Sequence, residues 1–308
     1  MYSAEIHGCK PVDELPTVAK RIDTYHGRKS VVGDLLCAHR TRLKHNSDMA
    51  RRNKILTILF SAAIVGVGFI YSDSLARFVW KEYQFVKLAT ALNRNDALLF
   101  VKIGNYYFNV RNSGAYDLAE AEKYFMRALN TDPNIRDAWH QLARIDFLRG
   151  NLDGALEKIN RQIDIHGESF MASFYIRGLI YGYRRDFYEA ERDFNAFLEW
   201  SPANWAAHND LAWIYFQKGD FEKAEATARR GMERAGENAW LLTSLGVALL
   251  NLGRNDEARS VLEKAMALAG GLDEADWMKA YPGNDPRLAG RGLALMKETI
   301  TYNLGLVK

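Results

Sequence analysis

From Trp205 to Asn238 the apolar residues fall in two helix-length stripes. Leu211, Ala212 and Tyr215 stand at i, i+1 and i+4, and Ala224 and Ala228 follow four apart. Those spacings put each set on one side of an α-helix. Between them Lys218-Gly219-Asp220 predicts a helix stop, with Gly219 free to turn left-handed and Asp220 positioned to cap the next helix. Leu211, Gly219 and Ala224 recur as Leu245, Gly253 and Ala258, each 34 residues later. That period predicts an all-α solenoid: a helical hairpin cannot bury its own apolar face, so hairpins stack, and the stack leaves a groove suited to another protein.

The same plan is spelled more loosely toward the N-terminus. Trp139, Leu142, Ala143, Gly150 and Ala155 make one unit, and Gly178, Tyr181, Phe187, Ala190, Phe194 and Pro202 another. The earliest has Gly104, Tyr107, Ala121, Phe125, Ala128 and Pro133, with about five extra residues between Val110 and Ala115 lengthening the inter-helix turn. Together these residues resemble the tetratricopeptide repeat family, over roughly Leu98 to Leu272. The resemblance implies about five helical hairpins with a concave peptide-binding wall, and no chemistry of its own. Five positions depart from the pattern: Asp146 where the family has Tyr, Arg177 where it has Leu, and Gly167, Gly236 and Gly270 where it has Pro.

The family lines its concave wall with the first helix of each hairpin. Carried over position by position, that implies a partner-binding groove of Asn105, His140, Arg144, Tyr175, Asn209, Trp213, Phe216 and Trp240, with Phe108, Phe147, Leu179, Thr243 and Val247 beside them. Such a wall suits a peptide or helix with apolar anchors, and Arg144 is suited to a carboxylate. The aromatic members have an alternative role, packing against neighbouring helices. Some family members hold chaperone tails with Lys and Asn four apart in the first repeat. Here Lys102 and Asn105 are three apart, so that clamp is not matched.

Ahead of the repeats, Ile55 to Tyr71 is a run of seventeen uncharged residues, long enough to cross a bilayer. Arg51, Arg52 and Lys54 precede it and Asp73 follows, a bias that predicts a cytoplasmic N-terminus and repeats outside, as in a bacterial inner-membrane protein facing the periplasm. Ser72-Asp73-Ser74 is a poor cleavage site, which favours an anchor over a removed signal peptide. The alternative topology, an organelle receptor with repeats in the cytosol, stays open. The expected organisation is a basic arm over 1–54, a transmembrane helix over 55–72, an amphipathic juxtamembrane helix or linker over 73–97, the solenoid over 98–272, and a turn with a capping helix over 273–308. In the last segment Asp285-Pro286 reads as a cap and first helical position, and Leu293, Met296, Ile300 and Leu304 share one face.

Charge and cysteine change the picture little. The net charge of +3 hides an arm with eleven basic and six acidic residues, but nothing in it has a nucleic-acid-binding pattern, so nucleic acid is disfavoured as a partner. His7, Cys9, Cys37 and His39 are weak candidates for zinc ligands, because the spacing lacks the two intervening residues usual between paired zinc cysteines; a metal-sensing role for the arm is a further alternative. No phosphate loop, His-Glu-x-x-His or nucleophile elbow occurs, and pairs such as Glu120 with Glu122 lie among Lys and Arg as solvated faces do. The expectation is a binding protein, not an enzyme, with no cofactor and no small-molecule substrate. Its partners would be protein subunits of a membrane or envelope complex.

Overall fold

The structure, a computed structural model, describes residues 73–108, 113–281 and 283–307. The arm with His7, Cys9, Cys37 and His39, and the apolar run 55–72, lie outside the described residues. Among the described residues there is no strand, no helix long and apolar enough to cross a membrane, and no group of three His, Cys, Asp or Glu placed to hold a metal. Contacts divide the chain into two compact units, between Arg94 and Asn95.

In the first unit, the segment expected as an amphipathic juxtamembrane helix or linker over 73–97 holds two helices, α1 (Asp73–Tyr83) and α2 (Val86–Leu92). The break is at Gln84, whose φ of 53° is left-handed and cannot continue an α-helix. Tyr83 stacks on Phe85 across it, with ring centroids 5.8 Å apart.

The second unit is five helical hairpins and a C-terminal cap. The hairpins are α3 (Ala97–Phe108) with α4 (Leu118–Thr131), α5 (Ala138–Leu148) with α6 (Leu152–His166), and α7 (Ala172–Arg184) with α8 (Phe187–Trp200). Then come α9 (Trp205–Lys218) with α10 (Phe221–Ala235), and α11 (Ala239–Asn251) with α12 (Asn255–Gly270). Asn151, Asn204 and Asn238 each accept a backbone N–H at the start of α6, α9 and α11, and Asp117 accepts two at α4. Asp220 departs from its expected role. It precedes α10, but its carboxylate takes Lys223 at 2.9 Å instead of a helix N–H.

In the first, third and fifth hairpins the second helix presses a bulky side chain onto a glycine of the first. A Cβ on Gly246 would lie 2.5 Å from Leu262 Cγ, and one on Gly104 would lie 2.6 Å from the Phe125 ring. Ala143 and Ala212 are likewise fully buried in their hairpins. The departures from the family pattern are paired internally: Asp146 binds Lys158 at 2.5 Å, and Arg177 makes a two-pronged bond to the buried Asp193 at 2.6 and 3.0 Å.

After α12, α13 (Glu274–Ala280) is closed by a reciprocal cap between Asp273 and Asp276. Asp285 then caps a short 3₁₀ turn, Pro286–Leu288, leading into α14 (Ala289–Leu306). α14 covers α12: Ile300 and Val307 join Ala239, Leu242, Leu262 and Ala265 in one apolar cluster, with Met296 and Leu304 against it. The end of the stack is thereby sealed.

Candidate partner-binding groove

The first helices of successive hairpins are stitched together along one wall by polar side chains. Asn105 donates to Asp137 at 3.4 Å, Gln141 donates to both oxygens of Asp137 at 3.1 Å, and Arg144 donates to Gln141 at 2.7 Å. Farther along, the Tyr175 hydroxyl donates to Asp210 at 2.6 Å, Asn209 donates to the other Asp210 oxygen at 3.3 Å, and Ser244 donates to Asn209 at 2.9 Å. Tyr175 to Asp210 and Asn209 to Ser244 are each one repeat apart in sequence, so each bond fixes the rotation of one hairpin on the next.

Burial tunes these groups. It pushes the Asp210 carboxyl up to about 6 although Tyr175 and Asn209 donate to it, and it raises the Tyr175 hydroxyl well above its usual value, with Asp210 adding to the effect. Arg144 is lowered from its ordinary value by the same burial, and its guanidinium lies 4.7 Å from the centre of the Phe108 ring. A row of rings completes the wall: Phe147 meets Tyr183 at 5.1 Å, and Tyr183 meets Trp213 at 5.4 Å. Tyr183 is 58% exposed.

The wall is concave. Tyr281 accepts a hydrogen bond from Trp240 Nε1 of α11 at 2.9 Å, while the Gly283 carbonyl accepts one from Tyr116, beside the first hairpin, also at 2.9 Å. Helices packed at 8–10 Å would separate α3 from α11 by roughly 32–40 Å in a flat row. Gly283 also lies against Arg144 Nη2 of α5 and the Phe108 ring of α3, so one short stretch reaches α3, α5 and α11. The row of first helices therefore curves around the stretch that holds Tyr281 and Gly283.

Asn105, Arg144, Tyr175, Asn209 and Trp240, expected on the wall, all take part in this arrangement. His140 lies in the interior, 6% exposed, with its Nδ1 3.2 Å from Ser173 Oγ and Phe170 edge-on to its ring. Phe216 packs on Phe221 of its own hairpin, at 5.7 Å. Trp213 closes over Gly182, where a Cβ would come within 2.9 Å of the indole. Asp137, Gln141, Asp210, Ser244 and Tyr183 were not singled out from the sequence. Asp210 and Ser244 are one residue from a wall position, on the same helix faces, which is the signal that could have found them.

Two tetratricopeptide repeat models match the chain, over residues 184–237 and 238–269. Residues 184–269 match tetratricopeptide repeats. A bovine protein (Bos taurus), BBSome complex member BBS4, is 27% identical over 137 residues, which are 44% of this chain and 26% of that protein. The chain thus matches about a quarter of the length of that curated relative. Among solved structures, PilW, a "widely conserved type IV pilus biogenesis factor", superposes with a TM-score of 0.55 at 15% identity, covering 65% of this chain and 93% of its own. MamA from Desulfovibrio magneticus RS-1 superposes with a TM-score of 0.50 at 18% identity, covering 57% and 97%. At these identities the likeness concerns the all-α fold. Repeats of this kind over residues 184–269, with the wall described above, fit a protein-interaction scaffold.

Proposed function

We propose that this scaffold is anchored in a membrane by residues 55–72, with its repeats outside the cytoplasm, and holds protein subunits of an envelope complex during assembly or secretion. The observation that carries the binding role is the aromatic row Phe147–Tyr183–Trp213 beside the polar ladder of Arg144, Tyr175 and Asp210. Tyr183, flanked by the half-buried Phe147 and Trp213, gives a partner's apolar side chains area to bury, and the ladder supplies one positive and one negative group to orient it. The anchoring rests on the uncharged run after Arg51, Arg52 and Lys54. Binding alone accounts for the activity, so no catalytic residue, cofactor or metal enters the reading.

Two experiments test it. A reporter active only outside the cytoplasm, fused after Lys308, is expected to be active; activity of a cytoplasm-only reporter instead would refute the topology. Purification of the full chain in mild detergent is expected to bring down envelope proteins, and Tyr183→Ser is expected to reduce their recovery without altering helix content. Unchanged recovery would reject the aromatic row as the binding surface.

A further inference from the structure

The concave wall already has an occupant, and it is the chain itself. The stretch after α13 brings Tyr281 against Trp240 and Gly283 against Arg144, Phe108 and Tyr116. Tyr281 is the aromatic anchor of this contact. It stacks on Trp277 at 5.0 Å and meets Trp240 at 6.3 Å, and Trp240 meets Trp205 at 5.0 Å, so four rings form a continuous ladder. Burial, with Asp210 next, pushes the Tyr281 hydroxyl up to about 12, which places that hydroxyl in the field of the wall's carboxylate.

Gly283 is the point of closest approach. A Cβ there would stand 2.6 Å from Arg144 Nη2 and 2.9 Å from Phe108 Cζ, and its φ of 88° is one that other residues resist. Its carbonyl is held by Tyr116. Asn284 and Asp285 then lead out, Asn284 bonding back to the Tyr281 carbonyl and Asp285 pairing with Arg287 at 2.6 Å. Sealing the end of the stack falls to α14 on α12 and to Trp277, which packs over Gly292 of α14; Tyr281 and Gly283 reach beyond that seal, to Trp240, Arg144 and Phe108. An aromatic hydroxyl bonded to a wall indole, followed two residues later by a backbone carbonyl that Tyr116 captures, is instead the feature of a peptide turn bound to the wall.

We propose that this stretch is an intramolecular ligand of the groove, and that the external partner enters with a segment of the same chemistry: an aromatic hydroxyl followed two residues later by glycine. This deepens the scaffold reading and rests on it. Because α13 and α14 tether the stretch at both ends, its effective concentration at the wall is on the order of millimolar. A free segment of equal affinity is therefore excluded until the resident one leaves. The exposed Tyr183 ring, between the half-buried Phe147 and Trp213, is available for first contact.

The probe is a fluorescent synthetic peptide with the sequence of residues 277–288, measured by polarisation against the full chain in mild detergent. The native chain is expected to bind it weakly, and the Tyr281→Ala/Gly283→Ala double variant at least about ten-fold more tightly. A milder variant, Tyr281→Phe, removes only the hydroxyl's bond with Trp240 and should gain a few-fold, which keeps the test decisive if the double variant unfolds. A peptide with Tyr281 and Gly283 replaced should bind neither. Equal weak binding to the native and Tyr281→Phe chains, with helix content unchanged, overturns the proposal. The partner assay separates the two readings. Peptide binding without any co-purifying protein would sustain the self-occupied groove and remove the scaffold role in envelope assembly. Equal partner recovery from native and released chains, with no peptide binding, would do the reverse.

Discussion

Arg177 occupies a position where the tetratricopeptide pattern expects an apolar residue, and restoring that residue should be costly. Arg177 Nε and Nη2 donate to the two oxygens of Asp193 at 2.6 and 3.0 Å, and Nη1 donates to Asn160 at 3.0 Å. The Asp193 side chain is 1% exposed and that of Arg177 14%. Arg177→Leu would leave a buried carboxylate without its main partner, a loss of about 3–5 kcal/mol. Arg192 lies 3.6 Å from the same carboxylate and is exposed, so it would compensate in part and hold the loss near the lower figure. The pair Arg177→Leu/Asp193→Leu removes the stranded charge together with its partner and should regain most of the stability. Urea unfolding followed by circular dichroism reads both, with the denaturant slope held constant as the check that the folded state is unchanged. A cost below about 1 kcal/mol for the single variant, or a double variant no better than the single one, would refute the reasoning.

Acid should act on two buried groups with opposite sign. His140 is held neutral by burial, its pKa lowered to about 3 from 6.5, so its contribution is fully present above about 6.5 and is lost as pH falls toward 3. The Asp210 carboxyl is raised from 3.8 to about 6, so its contribution is present below 3.8 and lost as pH rises through 6. Urea midpoints between pH 4 and 7.5 should therefore fall more steeply on acidification in Asp210→Asn and less steeply in His140→Gln; equal slopes in the native chain and both variants would contradict these assignments. Gly246→Ala should cost about 1–3 kcal/mol, because the new methyl meets Leu262 at 2.5 Å, and Leu262→Ala in the same chain should relieve part of the clash; additive losses in a thermal melt would rule out that contact as the cause.

The fold was legible because its signals are local. The 34-residue offset of Leu211, Gly219 and Ala224 needs only the helical period and a left-handed glycine, and Gly219 does turn at a φ of 78°. Arg177 and Asp146 were readable only as departures, since Asp193 and Lys158, which satisfy them, lie 16 and 12 residues away on the partner helix. The groove was half legible. Helix position identifies Tyr175 and Asn209, but whether a ring such as Phe216 faces a ligand or its own hairpin depends on rotations that the period leaves free. Least legible was the stretch after α13. Its Pro-Gly pair is plain in sequence, but the place of Gly283 against Arg144 and Phe108 follows from the curvature of five stacked hairpins.

The central claim, that partners are held on the concave wall, is tested most directly by site-specific photo-crosslinking in cells. A photoreactive phenylalanine analogue would replace Tyr183, 58% exposed in the aromatic row, or Tyr188, 78% exposed on α8. The account predicts discrete crosslinked partners from position 183 and none from position 188. Crosslinks from 188 alone, or the same products from both, would contradict it.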